Sequence, residues 1–136
     1  MKSTTRARNT ERQSGIAATE LAVCLPVIVV LVFAAIESCT MIFVAQALHA
    51  AGYESARVAI NHNATTSQVV QRAQQILDGH GLAGTSVRCV PTDVSTAKSG
   101  DLVTIVVTAS CDSNRLSPAL FFGGRDIEIR TTMAKE

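Results

Sequence analysis

Charged residues are scarce in this chain. Only 17% of its 136 residues are Asp, Glu, Lys or Arg, whereas about 25% is usual in soluble domains. The formal net charge of +1 argues against a general nucleic-acid-binding protein, and the 47% of hydrophobic residues argues against a disordered chain. Four cysteines are too few for a small protein built around disulfides. The length allows one domain at most.

Catalytic and metal-binding patterns are also missing from the sequence. The three histidines fall in no C-x-x-C, H-E-x-x-H or phosphate-loop spacing. The aspartates lack the spacing of a calcium loop, and no serine stands in a nucleophile-elbow motif. We therefore expect a protein that is not an enzyme, holds no cofactor or metal, and has neither a nucleic acid nor a small molecule as its partner.

The hydrophobic residues are concentrated near the N-terminus. Residues 21–36 carry no charge, and residues 16–19 extend this apolar run upstream, interrupted only by Glu20. The resulting segment, residues 16–36, is long enough to cross a bilayer as a helix, which needs about 20 residues. Pro26 lies inside it, and a membrane helix accommodates a proline with a kink. The sequence therefore predicts a transmembrane helix over residues 16–36.

The leader before this helix predicts its orientation. Residues 1–15 contain four basic side chains and one acidic side chain, a net charge of +3. Because Lys and Arg remain on the cytoplasmic side, we expect a single-pass protein of the cytoplasmic (inner) membrane, with a cytoplasmic leader and an exported C-terminal part. A cleaved secretory signal would need a shorter apolar run and a nearer cleavage site. A lipoprotein signal would need a small residue just before Cys24 or Cys39 in an apolar setting, and Val23 and Glu37 argue against these two options.

Glu20 stands at the edge of the predicted membrane helix, where a carboxylate is costly. It could lie in the lipid headgroup region. However, a basic leader, then Gly15, then an apolar helix with Glu at its fifth position resembles the type IV prepilin signal, which a membrane-bound peptidase cuts after the glycine. The resemblance implies a processing site between Gly15 and Ile16. The new amine of Ile16 would then enter a bundle of apolar helices, where the Glu20 carboxylate offsets its charge.

A longer stretch, residues 14–60, resembles the TadE-like family of pseudopilins. The matching positions are Gly15, Glu20, Leu25-Pro26, Glu37, Gln46-Ala47-Leu48, Ala50-Ala51 and Ser55-Ala56-Arg57. Leu21 replaces a common aromatic residue, and Ser55 replaces a glycine. The resemblance implies a minor subunit in assembly of the Flp/Tad (type IVb) pilus and its secretion apparatus. Its implied partners are the prepilin peptidase, other pseudopilins, the inner-membrane assembly platform and membrane lipid. Incorporation into the pilus stays open.

A different class of function remains as the alternative. In that interpretation the chain is an uncleaved, single-pass membrane-anchored binding domain that works outside the membrane and is unrelated to pili.

Helical periodicity continues beyond the membrane segment. An apolar stripe with helical spacing predicts a stalk over residues 37–62, and residues 61–63 favour a turn that ends it. The stripe consists of Met41, Val44, Leu48, Ala51 and Ser55. The alternative is that this stretch is simply the first helix of a globular domain, packed on its sheet.

The remaining residues, 63–136, predict an exported head. A second helix is expected from an N-cap at Thr66 or Ser67 to a C-cap at Gly79. Alternating apolar residues predict strands over residues 86–90, 102–111 and 126–133. We therefore expect an α+β, pilin-like fold, with a long N-terminal helix and a second helix packed on a small antiparallel sheet.

Two further sites are predicted in the head. Cys89 and Cys111 are both expected to face the core, so that they form a disulfide in an oxidising exported compartment or remain as two buried thiols. The loop after the second strand contains Leu120, Phe121 and Phe122. These three residues form either a short buried helix or a patch that binds a partner.

Overall fold

The computed structural model describes residues 4–116 and 121–136, with side chains from Gly15 onward. Two helices, α1 (Thr4–Ala59) and α2 (Thr66–Gly79), precede three strands, β1 (Thr85–Val90), β2 (Leu102–Ser110) and β3 (Asp126–Ala134). Short 3-10 turns occupy Val94–Thr96 and Asp112–Asn114. The predicted α+β fold is confirmed. Contacts divide the chain into two units, Met1–Ala35 and Ile36–Glu136.

The first unit contains the apolar part of α1. Between Gly15 and Ala35 nearly every side chain is exposed, including large apolar ones such as Val23, Val27 and Leu31. In the part of the chain that the structure describes, one helix is both long enough and apolar enough to cross a membrane, and it covers Gly15–Ala59. Pro26 is accommodated within the continuous helix. An apolar surface of this extent on a helix indicates membrane anchoring.

The outer half of α1 belongs to the second unit, where it has a buried face. The predicted stripe is confirmed, since Met41, Val44, Leu48, Ala51 and Ser55 are all buried. The hydroxyl of Ser55 donates to the carbonyl of Ala51 at 2.6 Å, so burial leaves it hydrogen-bonded. The predicted stalk is therefore also the first helix of the compact unit, and it ends at Ala59, before the predicted turn.

A glycine in α1 allows the helix to lie close to the sheet. A Cβ added to Gly52 would be only 2.7 Å from the Thr131 hydroxyl oxygen, and the next neighbour is Val107. A side chain at this position would push the helix away from β2 and β3.

The three strands form an antiparallel sheet in the order β1-β2-β3. Its inner face comes from alternate residues of the central strand, and these are fully buried. They are Val103, Ile105, Val107 and Ala109. The strand limits differ by one residue from the prediction: β1 begins at Thr85, β2 ends at Ser110 and β3 ends at Ala134.

The second helix packs beside β1 and contributes to the same core. It buries Val69, Ala73 and Leu77. Its N-cap is Thr65, not Thr66 or Ser67 as predicted. The Thr65 hydroxyl oxygen accepts the backbone N–H of Gln68, and the side-chain oxygen of Gln68 accepts the backbone N–H of Thr65. This reciprocal capping box satisfies two of the amides that a helix leaves without partners. At the other end Gly79 is the last helical residue, and His80 is the cap.

Candidate functional site

The predicted processing site lies at the start of the exposed part of α1. Gly15 has open space where a Cβ would stand, and Ile16 is 58% exposed. Thr19 donates to the carbonyl of Ile16 at 2.7 Å, which is a bond within the helix. Gly15 and Ile16 are thus both exposed, and the peptide bond between them lies within the continuous helix α1.

Glu20 is placed one helical turn after Ile16. Residues four apart lie on the same face of a helix, about 6 Å apart along its axis. Glu20 is exposed on the surface of α1. An amine created at Ile16 by cleavage would therefore have a carboxylate within one turn of the same chain.

A second acidic residue of α1, Glu37, makes contacts that the sequence did not reveal. Its side chain is only 3% exposed. The carboxylate accepts the backbone N–H of Phe121 at 3.2 Å and that of Phe122 at 3.0 Å. Glu37 therefore attaches the loop between β2 and β3 to α1, immediately after the last residue of the apolar run, Ile36. Glu37 is one of the positions of the family resemblance, but no role was predicted for it from the sequence. The sequence feature that could have indicated this role is the position of Glu37 directly after the apolar run.

The predicted partner patch is described in part. Leu120 lies outside the described residues. Phe121 is 53% exposed and Phe122 is half-buried, while the nearby Leu116 is 84% exposed. Neither phenylalanine is helical, and the exposure of Leu116 and Phe121 contradicts a buried helix at these two residues. Apolar side chains are thus presented outward on both sides of residues 117–120.

Cys89 and Cys111 are both buried and are free thiols, which is the second of the two predicted alternatives and not the disulfide. Cys89 is opposite Ile105 in the register of β1 and β2, and Cys111 follows six positions after Ile105. Six residues of extended chain span roughly 20 Å, whereas a disulfide needs Cα atoms within about 7 Å. The alternation of the strands placed both thiols on the inner face correctly, but the register keeps them apart.

The environment of these thiols makes them less acidic. Burial raises the pKa of the Cys89 thiol. Burial, and then the carboxylates of Asp126 and Asp112, raise the pKa of the Cys111 thiol. Both effects disfavour the thiolate, which is the reactive form of cysteine. These two cysteines are therefore core residues with low reactivity.

The fold and the exposed apolar helix define a membrane-anchored α+β protein. Residues 15–57 match the model of a family described as TadE-like protein. The predicted resemblance is therefore confirmed over this segment, which runs from Gly15 through Glu20 and Glu37 to the buried stripe of α1. Neither a curated protein nor a solved structure matches the chain.

Proposed function

We propose that this chain is a TadE-like minor pseudopilin that takes part in assembly of the Flp/Tad (type IVb) pilus and its secretion apparatus. One observation carries the proposal: the family match begins at Gly15, where the basic leader ends and the apolar helix begins. A protein that is only anchored in a membrane has no need for a glycine at this boundary or for a carboxylate five residues later.

Removal of the leader would change the chemistry of the helix start. Cleavage between Gly15 and Ile16 leaves a protonated amine at the end of an apolar helix. Placing that charge among other helices is costly unless an opposite charge accompanies it. Glu20 supplies the carboxylate, either within the same chain or from a neighbouring subunit. In this proposal the protein acts through helix packing and catalyses no reaction.

The basic leader supports an orientation with the N-terminus in the cytoplasm and residues 37–136 outside. The partners in this arrangement are the prepilin peptidase, other pseudopilins and the assembly platform of the inner membrane. The exposed apolar surface of α1 would first contact lipid and then the apolar helices of those partners.

N-terminal sequencing of the membrane-bound protein tests the proposal. In a host that has the cognate prepilin peptidase, the mature chain is expected to begin at Ile16. Gly15→Arg should abolish this processing, because the peptidase must approach an extended chain closely and a large side chain obstructs it. Gln13→Arg adds the same charge to the leader without altering the glycine, so it should still be processed.

The opposite result would remove the proposal. A wild-type chain that still begins at Met1 and is indifferent to Gly15→Arg would favour the alternative, an uncleaved membrane-anchored binding domain.

A further inference from the structure

We propose that the compact unit Ile36–Glu136 rests on the surface of the phospholipid bilayer through an apolar patch formed by Phe43, Leu116 and Phe121. We call these three residues the interfacial patch. The inference rests on the anchoring of α1 in a membrane, and it is independent of any role in a pilus.

The three side chains are large, apolar and exposed. Leu116 is 84% exposed, Phe121 is 53% exposed and Phe43 is 48% exposed. Phe43 and Leu116 also line one shallow cavity between α1 and the loops, together with Thr40 and His80. Single exposed apolar residues are common on soluble surfaces. The position of these three within the unit is therefore what carries the argument.

That position is the end of the unit where α1 emerges from the apolar run. Ile36 is the last residue of the run, and Glu37 follows it directly. Because the Glu37 carboxylate accepts the amides of Phe121 and Phe122, the backbone of the loop lies beside this point of the helix. Phe43 is six residues farther along α1, or about 9 Å at the helical rise. The interfacial patch thus lies in the part of the compact unit that follows directly after the apolar run.

The charged residues near the interfacial patch are compatible with contact between the patch and lipid. Glu37 is buried and hydrogen-bonded, so its charge does not face outward beside Phe121. Arg115, next to Leu116, is exposed and pairs with the exposed Asp112 at 2.9 Å. Arginine and exposed apolar side chains together suit the boundary between headgroups and acyl chains. A phospholipid surface is therefore the occupant that this chemistry favours.

The absence of tryptophan from the sequence allows a direct test. Full-length chains with a single tryptophan, Phe121→Trp or Leu116→Trp, are reconstituted in phosphatidylcholine vesicles with or without bromine on the acyl chains near the headgroups. Bromine quenches indole fluorescence only at contact distance. We expect the brominated lipid to reduce the emission of both variants to about half, because an aromatic ring at the interface lies at this depth.

Two control variants make the result interpretable. Val30→Trp lies in the middle of the apolar run, and it should be quenched strongly by lipid brominated deep in the acyl chains. Tyr53→Trp replaces a 53% exposed ring on α1, and it lies 16 residues beyond Glu37, about 24 Å along the axis. Its emission should be insensitive to every brominated lipid.

Each other outcome overturns the inference in a distinguishable way. In one outcome Val30→Trp is quenched, but Phe121→Trp and Leu116→Trp are quenched no more than Tyr53→Trp. This outcome would refute the interfacial patch but not the membrane anchoring of α1. An unquenched Val30→Trp would refute the anchor and the patch together. A blue-shifted emission of Phe121→Trp without quenching would mean that protein, such as a second copy of the chain, covers these residues.

Discussion

At the scale of single residues, Glu37 connects two parts of the compact unit that are distant in the sequence. A carboxylate that is 3% exposed would be costly without partners. Here two backbone amides donate to it, and hydrogen bonds of this charge-assisted kind are stronger than those between neutral groups. One side chain on α1 therefore sets the position of a loop that lies 84 residues later in the chain.

Replacement of Glu37 by alanine should loosen this loop. The amides of Phe121 and Phe122 would lose their acceptor, so we expect faster hydrogen exchange at both. The free energy of unfolding should fall by about 1.5–3 kcal/mol, as for other hydrogen bonds to charged groups. Hydrogen exchange and thermal unfolding of the detergent-solubilised chain measure these effects.

Glu54→Ala is the matched control for this substitution. Glu54 makes salt bridges with Arg57 and Arg72 at the surface, and exposed pairs of this kind contribute about 0–1 kcal/mol. Exchange at Phe121 and Phe122 that is unchanged by Glu37→Ala would contradict the anchoring role of the carboxylate.

Lys135 is a second buried charge with a structural role. It is 5% exposed, and its ammonium donates to the carbonyls of Val94 at 3.1 Å and Ala59 at 3.5 Å. Ala59 is the last residue of α1, where a positive charge interacts favourably with the helix dipole. The residue that follows β3 is thereby joined to the end of α1.

At the scale of elements, the pairing of β1 with β2 decides the state of the cysteines. Cys89 lies on the inner face of β1, and Cys111, directly after the end of β2, is also buried, as predicted. Only the register shows that Cys89 is opposite Ile105 and far from Cys111. The face of a residue follows from a period of two within its own strand, whereas its neighbour depends on where two strands meet.

Alkylation followed by mass measurement checks this arrangement. After denaturation without reductant, we expect all four cysteines to be modified, since each is a free thiol. In the folded, detergent-solubilised chain, Cys39 is exposed and should react. Cys89 and Cys111 should react much more slowly, because burial limits access and raises the pKa of each thiol, so that little thiolate is present near neutral pH.

A Cys89→Ser variant provides the control. With free thiols, the substitution removes one modification and leaves the reactivity of Cys111 in the denatured chain unchanged. Modification of Cys111 that requires either reductant or the Cys89→Ser substitution would instead establish the bridge.

The two halves of α1 differ in which of their side chains are buried. In the anchor, apolar side chains are exposed around the helix, as expected for a surface that faces lipid. In the compact unit the same helix has a buried face and a glycine where it lies against Thr131 of β3. Sequence periodicity predicted both behaviours, because each depends on residues close together in the chain.

At the scale of the whole molecule, the near-zero net charge conceals two parts of opposite sign. The leader carries +3, and the chain from Ile16 onward has eight basic and ten acidic side chains, a net charge of −2. Separation of these parts by cleavage would leave an acidic mature chain with one new amine at the start of its apolar helix. In the proposed assembly, the Glu20 carboxylate offsets the charge of this amine.

Replacement of Glu20 by alanine should therefore separate processing from assembly. Cleavage after Gly15 is expected to continue, because the residues on either side of the cut are unchanged. Assembly should fail, since an unpaired charge among helices costs about 3–5 kcal/mol. A cost of this size lowers the equilibrium constant for helix association by more than about a hundredfold. N-terminal sequencing and counting of surface pili by electron microscopy measure the two steps.

The control is again an exposed acid of the compact unit. Glu54→Ala should change neither processing nor the number of pili. Normal piliation with Glu20→Ala would exclude the charge-pairing role, while impaired processing would show that the peptidase itself reads this residue.

The sequence by itself determined the features that depend on neighbouring residues. These are the apolar helix, its orientation signal, the buried stripe of α1 and the order and type of the secondary structures, with small errors at their ends such as the N-cap at Thr65. Tertiary structure alone decided the separation of the cysteines, the bonds from Glu37 to the loop and the exposure of Leu116 and Phe121. A local period reports which face of an element is buried, but it carries no information about the register of distant segments, which is set by packing of the whole unit.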